Sequence, residues 1–429
     1  MSDLPPGWVD TTIGDVVVPK VEQRTPSADE DFIYIDISSV DRVAKKIVNS
    51  QILSGKDAPS RARQVVTSGD VLVSMTRPNL NAVAMVSKDL DGQIASTGFD
   101  VLRAKNIESR WLYYLVRTND FVTAMSDLVQ GALYPAVRPR DIRNFIIPLA
   151  PLNEQKRITE KLDTLLAHMD SCQTHLERVP QILKRFRQSV LAAATSGRLT
   201  EDWREDEKVI EYGEFVFPAA WELSTFDDAL TLIDGDRGPN YPKQSDYQES
   251  GHCLFLSTKN VRKFGFEFDD VVFISEEKHK KIRSGTLQYG DVIITTRGTL
   301  GNVAFYDESV PYKVVRINSG MLILRKKRDN LLGKYLMICI GSPLFTSELE
   351  EKRSGSAQPQ IPAKTLKTFA LPIPPIEEQA EIVRRVEKLF AYAERLEARY
   401  TSASEHVERL TPSLLAKAFR GELVSQGQG

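Results

Sequence analysis

The feature that most constrains this chain is that it contains itself twice. Pro148-Leu149-Ala150-Pro151-Leu152-Asn153-Glu154-Gln155 returns as Pro372-Ile373-Pro374-Pro375-Ile376-Glu377-Glu378-Gln379, an offset of 224 residues. The same offset carries Lys161–Ala167 onto Arg385–Ala391, Gly197 onto Gly421 and Leu199 onto Leu423. Upstream the echo continues at slightly smaller offsets. Gly69-Asp70-Val71-Leu72-Val73 answers Gly290-Asp291-Val292-Ile293-Ile294, with Arg77 answering Arg297; Gly98 and Arg103 pair with Gly320 and Arg325, and Trp8 with Trp221. A period this long describes a duplicated domain and excludes a solenoid of small repeats.

Each copy contains two kinds of sequence, which divide the 429 residues into 1–150, 151–205, 206–374 and 375–429. The first kind alternates short β-branched runs with turn residues, as in Phe32-Ile33-Tyr34-Ile35, and predicts a mixed α/β (α+β) globular domain. The second follows a proline cluster and predicts a long helix, with Asn153 as N-cap, Glu154 in the positive first turn and Gly197 and Gly421 as stops. Ile158, Leu162, Leu165, Met169, Cys172, Leu176, Val179, Leu183, Phe186, Val190 and Ala193 alternate four- and three-residue spacings. Adding the offset gives a second stripe from Ile382 to Lys417, apolar except at Lys417. Sustained spacing of this kind predicts an antiparallel coiled coil of two long helices about 54 Å in seam length, with two helical hairpins as the alternative. Pro180 and Pro412 are expected to kink or restart their helices.

Composition narrows the function by exclusion. The net charge is −2, and residues 1–150 carry 17 basic and 18 acidic side chains against 22 and 23 in residues 206–374. Any nucleic-acid surface must therefore be a local patch. Three separated cysteines, Cys172, Cys253 and Cys339, argue for a reducing compartment and against a disulfide framework or zinc site. The N-terminus lacks a secretion signal and no apolar run approaches a membrane span, which predicts a cytoplasmic protein. Phosphate-loop, dinucleotide and nucleophile-elbow motifs are missing, as is an amino-methyltransferase motif, so no catalytic residue is assigned. Asp270, Glu276 and Lys278 loosely imitate a nuclease pattern but are read as solvated surface charge. Arg325-Lys326-Lys327-Arg328 is read as either a phosphate-binding run or a solvated turn.

With these residues in hand, the chain resembles the specificity (S) subunit of type I restriction–modification systems. The resemblance rests on the two-copy layout, the proline-rich Glu-Gln entry into each helix, and the closing segments Gln181–Leu191 and Leu415–Leu423. It implies two target-recognition domains related by pseudo-twofold symmetry, each reading one half of a bipartite site on double-stranded DNA. The coiled coil between them would set the spacer. It would also dock two methyltransferase (M) subunits, and two restriction (R) subunits would complete the complex. S-adenosylmethionine, ATP and Mg2+ would belong to those partners, with no cofactor or metal bound by this chain, which would not itself be an enzyme. The competing reading is a pseudo-symmetric protein scaffold without DNA specificity.

Base edges are read by polar side chains on loops, while cations hold phosphates. The candidates are accordingly Arg77, Asn79 and Asn81 after the first Gly-Asp strand, with Arg297, Thr299 and Asn302 as counterparts. A second loop before each proline cluster adds Gln130, Tyr134, Arg138 and Arg140 in copy one. Ser356, Gln358, Gln360 and Lys364 are its equivalents in copy two. Because these loops differ between copies, the two half-sites are expected to differ.

Overall fold

The computed structural model describes residues 4–129, 135–205, 208–352 and 360–425. The chain divides into two compact units. One comprises Met1–Glu177 together with Thr401–Gly429, the other Arg178–Tyr400. Each unit thus contains a globular part, the start of the helix that follows it, and the end of the helix that follows the other copy.

In the first unit, Asp31–Ile35 lies in a four-stranded sheet, antiparallel to Gln51–Ser54 and parallel to Ile94–Ser96, which in turn pairs with Ala62–Val65. A second sheet places Val71–Ser74 between Phe99–Leu102 and Val83–Met85. The domain is closed by Val9–Thr12 running antiparallel to Ile146–Leu149. The second unit repeats this plan. Cys253–Leu256 pairs in parallel with Val315–Ile317, Val292–Thr295 lies between Met321–Lys326 and Val303–Phe305, and Glu222–Thr225 closes against Ala370–Ile373. Where the second unit adds Leu230–Asp234 along Met321–Lys326, the first has a single bridge from Val17 to Ala104. The hairpin Val209–Tyr212/Phe215–Pro218 precedes only the second copy's globular part.

The proline-rich entry motif is explained by what it binds. Buried Gln155 donates from its amide to the Ala150 carbonyl at 2.7 Å and accepts from the Glu108 N–H at 2.9 Å. Gln379 does the same with the Pro374 carbonyl (2.8 Å) and the Leu332 N–H (2.9 Å). A buried amide that fills both roles locks the turn that launches each helix. The preceding glutamate takes the indole N–H of the opening tryptophan: Trp8 to Glu154 at 3.1 Å and Trp221 to Glu378 at 3.0 Å. Trp111 and Tyr335, 224 residues apart, both donate to the proline carbonyl of the closing strand, Pro148 and Pro372 respectively.

The helices depart from the sequence expectation in three ways. Leu152–Leu176 begins directly after Pro151, whose carbonyl accepts from the Glu154 and Gln155 N–H groups, so Asn153 lies inside the helix and is not its cap. Proline presets the entry geometry and leaves its carbonyl free for the first helical bond. Pro180 does mark a restart, at the head of Val179–Thr195, whereas Pro412 sits within the unbroken helix Ile376–Phe419. The seam is also wider than an a/d stripe. Ile158, Leu162, Leu183, Val190, Ile382, Val386 and Ala393 are buried as expected, but Cys172 is exposed, and Leu166, Leu191 and Ala194 join the core. These segments pack against globular domains as well as helices, and a straight 3.6-residue helix drifts off a 3.5-residue stripe. In the first unit Ile158, Leu162, Leu415 and Ala418 share a core with Trp8 and Trp111. In the second, Val190 and Leu191 share one with Ile382 and Val386, and Arg187 pairs with Glu397 at 2.6 Å. Gly197 and Gly421 end their helices in the left-handed region, at φ 78° and 72°.

Candidate nucleic-acid interface

The two loops singled out in each copy are far apart in sequence, and the fold laces them together. In the first unit Thr76 and Ala136 form a bridge, the Arg77 N–H donates to the Pro135 carbonyl at 2.8 Å, and Val137 donates to Met75 at 2.9 Å. In the second, Arg297 bridges Gln360, and Ile361 donates to Thr296 at 3.1 Å. The paired glycines support the same corner. Met75 and Thr296 donate to the Gly98 and Gly320 carbonyls, and a Cβ on either glycine would come within 2.8 Å of Ile37 or Thr258.

At the opposite end of the strand that leads into each corner lies an ion pair with a buried aspartate. Arg103 grips Asp70 through Nε (3.0 Å) and Nη2 (2.8 Å), and Arg325 grips Asp291 through the same atoms at 2.8 Å each. Each aspartate also accepts from the backbone N–H three residues before it, Thr67 or Gln288, fixing the Gly-Asp turn. The repeated Gly-Asp and Arg therefore anchor the start of the strand whose far end carries the corner.

The exposed candidates are Arg77, Asn79, Arg138 and Arg140 in the first unit and Arg297, Thr299 and Lys364 in the second. Arg140 lies 3.6 Å from Asp141. Two asparagines are engaged elsewhere. Asn81 donates to the Val116 carbonyl at 2.8 Å and accepts from the Lys45 ammonium at 2.8 Å; Asn302 donates to the Val261 carbonyl at 2.9 Å. Their amides hold the loop from behind, a use that sequence spacing does not distinguish from base reading. Gln360 sits at the bridge with Arg297. Gln130, Tyr134, Ser356 and Gln358 lie outside the described residues.

The structure corrects two pairings. Thr76 and Arg297 occupy the bridge position, and the next residue is left-handed in both units: Arg77 at φ 49° and Gly298 at φ 71°. Arg77 therefore corresponds to Gly298. Asn81 (φ 46°) likewise corresponds to Gly301 (φ 76°) and not to Asn302. Matching residue types drew the sequence alignment one position off, because a left-handed backbone favours glycine but admits other residues at a cost.

The basic run of the second unit is consumed internally. Arg325 holds Asp291, Lys327 donates to the Asp227 carbonyl, Arg328 pairs with Glu222, and Lys326 lies 3.9 Å from Asp329. Nor do Asp270, Glu276 and Lys278 assemble as a site, since Glu276 pairs with Lys280 and Lys278 with Asp246. Among the described residues, no group of three or more His, Cys, Asp or Glu side chains is placed to hold a metal ion.

Sequence reasoning missed Arg42 and Arg61. Both are exposed and line a cleft of about 630 Å³ in the first unit together with Arg77, Thr76, Asp36 and Ser38. Neighbouring Lys45 has its pKa lowered to about 8 by burial, with Arg117 and Arg42 adding repulsion. No local motif marks Arg42 or Arg61, because sheet pairing brings them to the cleft.

The repeated corner and helix entries can now be set beside known proteins. The model of the type I restriction modification DNA specificity domain matches residues 5–181 and 218–402. The chain is 31% identical to the type I restriction enzyme EcoKI specificity subunit of Escherichia coli K12, over 99% of this chain and 90% of that one. The chain belongs to the type I restriction–modification specificity-subunit family. The HsdS subunit from Thermoanaerobacter tengcongensis has the same fold, at a TM-score of 0.68 and 30% identity across 98% of both chains. A chain from a structure addressing complex assembly and conformational transition of the type I R-M system superposes at a TM-score of 0.74. It is 28% identical, over 98% of this chain and 100% of that one. In this specificity subunit, then, both matched segments contain the same Trp–Glu helix entry, and both carry the laced loop corner at one end of a strand whose other end is held by an Asp–Arg pair.

Proposed function

We propose that this specificity subunit reads a bipartite sequence on double-stranded DNA, one half with each laced corner, as the non-catalytic component of a type I restriction–modification complex. The observation that carries the reading is the corner itself, built twice from equivalent backbone bonds but tipped with different exposed side chains. A constant backbone corner under variable polar tips is what two independent base-reading surfaces require. Arg77, Asn79, Arg138 and Arg140 on one side and Arg297, Thr299 and Lys364 on the other are the candidate contacts. Gln130, Tyr134, Ser356 and Gln358 extend the same loops in sequence.

The two long helical regions pair as an antiparallel coiled coil under pseudo-twofold symmetry, fixing the distance between half-sites. Their exposed faces dock two M and two R subunits. S-adenosylmethionine, ATP and Mg2+ reside in those partners, and the complex works in the cytoplasm. Neither globular part is net basic, so the partners contribute much of the phosphate attraction that DNA affinity needs. No described helix is long and apolar enough to cross a membrane.

A genome-wide map of N6-methyladenine, in cells with and without this gene and its neighbouring methyltransferase gene, tests the reading. Loss of one split motif methylated in both halves is expected. An unchanged map in the presence of the methyltransferase would leave the scaffold reading. The spacer role has its own test: four residues inserted at Cys172 rotate and lengthen the helix, and should shift or abolish the split motif. An unchanged spacer would reject the coil as ruler.

A further inference from the structure

The two corners are not chemically equivalent, and one of the differences falls on a left-handed backbone position. Arg77 is held at φ 49°, where the other unit has Gly298 at φ 71°. A left-handed arginine is disfavoured by crowding between Cβ and its own backbone, so its presence needs a reason outside local geometry. The Arg77 side chain supplies no internal one. It is exposed and makes no hydrogen bond or ion pair among the described residues.

Its surroundings indicate what it serves. Arg42 and Arg61 line the same cleft as Arg77, both exposed and likewise without a hydrogen-bonded or ionic side-chain partner among the described residues. The carboxylate among the cleft residues, Asp36, is partly spent: its Oδ1 accepts from the Ser38 hydroxyl at 2.8 Å and from the Ser39 N–H and hydroxyl at 2.9 Å each. Three arginines without internal partners and one partly engaged carboxylate therefore line a concavity of about 630 Å³. Elsewhere in this unit the partly buried arginines Arg103 and Arg143 are satisfied by Asp70 and Asp100 at 2.8 Å. Unpaired guanidinium groups converging on a cleft call for acceptor groups from a ligand, and the fork of arginine matches a guanine O6/N7 edge or a phosphate.

We infer that the first unit reads a guanine with Arg77 in this cleft while Arg42 and Arg61 hold flanking phosphates, and that the second unit reads no base with the equivalent position. The inference rests on the bipartite DNA reading above. Arg77, displayed from a rigid turn whose backbone is tied to Pro135, is the base reader. Arg42, beside a strand end, and Arg61, at the start of Ala62–Val65, are the strand clamps. The second unit presents Gly298 instead, which leaves its corner to Arg297 and Thr299.

The test uses the full chain assembled with its methyltransferase partner, and DNA libraries randomised at each position of the split site. Arg77→Gly is the informative variant because glycine suits the left-handed turn, so the protein should resist denaturation at least as well as before. It should lose discrimination at a single G·C pair in one half-site, by roughly 5- to 150-fold. Replacing that guanine by 7-deazaguanine should impair the unsubstituted protein and leave Arg77→Gly indifferent. Arg42→Ala and Arg61→Ala should weaken all sites alike, each lowering the slope of log affinity against log salt by about 1.

Relaxation at an A·T pair, relaxation in both half-sites, or unchanged discrimination would overturn the assignment of Arg77. Unchanged salt slopes for Arg42→Ala and Arg61→Ala would overturn the clamp. If the unsubstituted complex itself shows no sequence preference, the bipartite reading falls and takes this inference with it; a preference that all variants retain rejects the inference alone.

Discussion

The helix entries of the two copies use the same pair of side chains in different company. Glu154 accepts from Trp8 through one oxygen, and its other oxygen is buried without a partner among the described residues. Glu378 accepts from Trp221 at 3.0 Å and the Thr200 hydroxyl at 2.7 Å, and pairs with Arg204. The glutamines beside them make matching bonds, and so do the Asp–Arg pairs. Each copy thus keeps the contacts that define its backbone, while satellite contacts and loop tips vary.

Four sets of substitutions probe how far the likeness extends. The largest effect is expected at Glu378. Its replacement by Ala strands a buried indole N–H, a hydroxyl and a mostly buried guanidinium, and should destabilise the second unit by about 3–5 kcal/mol. Glu154→Ala, with one donor to lose, should cost about 1 kcal/mol. Peptide-resolved hydrogen exchange would separate the units, and equal losses would show that the extra partners of Glu378 contribute nothing.

Next come Asp70→Ala and Asp291→Ala. Both aspartates are buried with bidentate arginines that remain about a quarter exposed, so each change should cost about 2–3 kcal/mol, discounted for solvent screening at the arginine. Here the comparison predicts equality, and a twofold disparity in unfolding free energy would break it. Smaller still are Gly98→Ala and Gly320→Ala. The new methyl meets the end of a flexible side chain, Ile37 or Thr258, and should cost about 1–2 kcal/mol in denaturant titrations. The smallest effects separate the copies: Arg77→Gly should be neutral or stabilising by a few tenths of a kcal/mol, and Gly298→Arg destabilising by about 1 kcal/mol. Opposite signs in thermal melts would confirm that one turn is strained by arginine and the other is not.

Much of this architecture is legible in the repeat. Gly98 with Gly320, Arg103 with Arg325 and Gly197 with Gly421 were paired by repetition, and each pair proves to occupy equivalent places. The same method failed where identity and geometry diverge. Arg77 and Arg297 match in type, but the left-handed turn falls on Arg77 and Gly298. Asn81 and Asn302 look like base readers and are instead bonded to Val116 and Val261 carbonyls. Arg325–Arg328 looks like a phosphate site and is occupied by Asp291, the Asp227 carbonyl and Glu222. A basic or amide side chain has the same appearance in sequence whether it faces solvent or its own fold, since its partners are tens of residues away.

The sequence by itself determined the duplication, the alternation of globular and helical segments, the proline clusters before each long helix and the glycines that stop it. Those are local properties: proline and glycine act on the backbone where they stand, and apolar spacing acts within a few turns. Only the tertiary structure decided which polar side chains remain available. It spent Asn81, Asn302 and Arg325 on internal partners and drew Arg42, Arg61 and Arg77 to a common cleft from three separate strand ends. Availability depends on hydrogen bonds and burial that exist only once distant strands have paired, so it is a property of the fold and not of the order of residues.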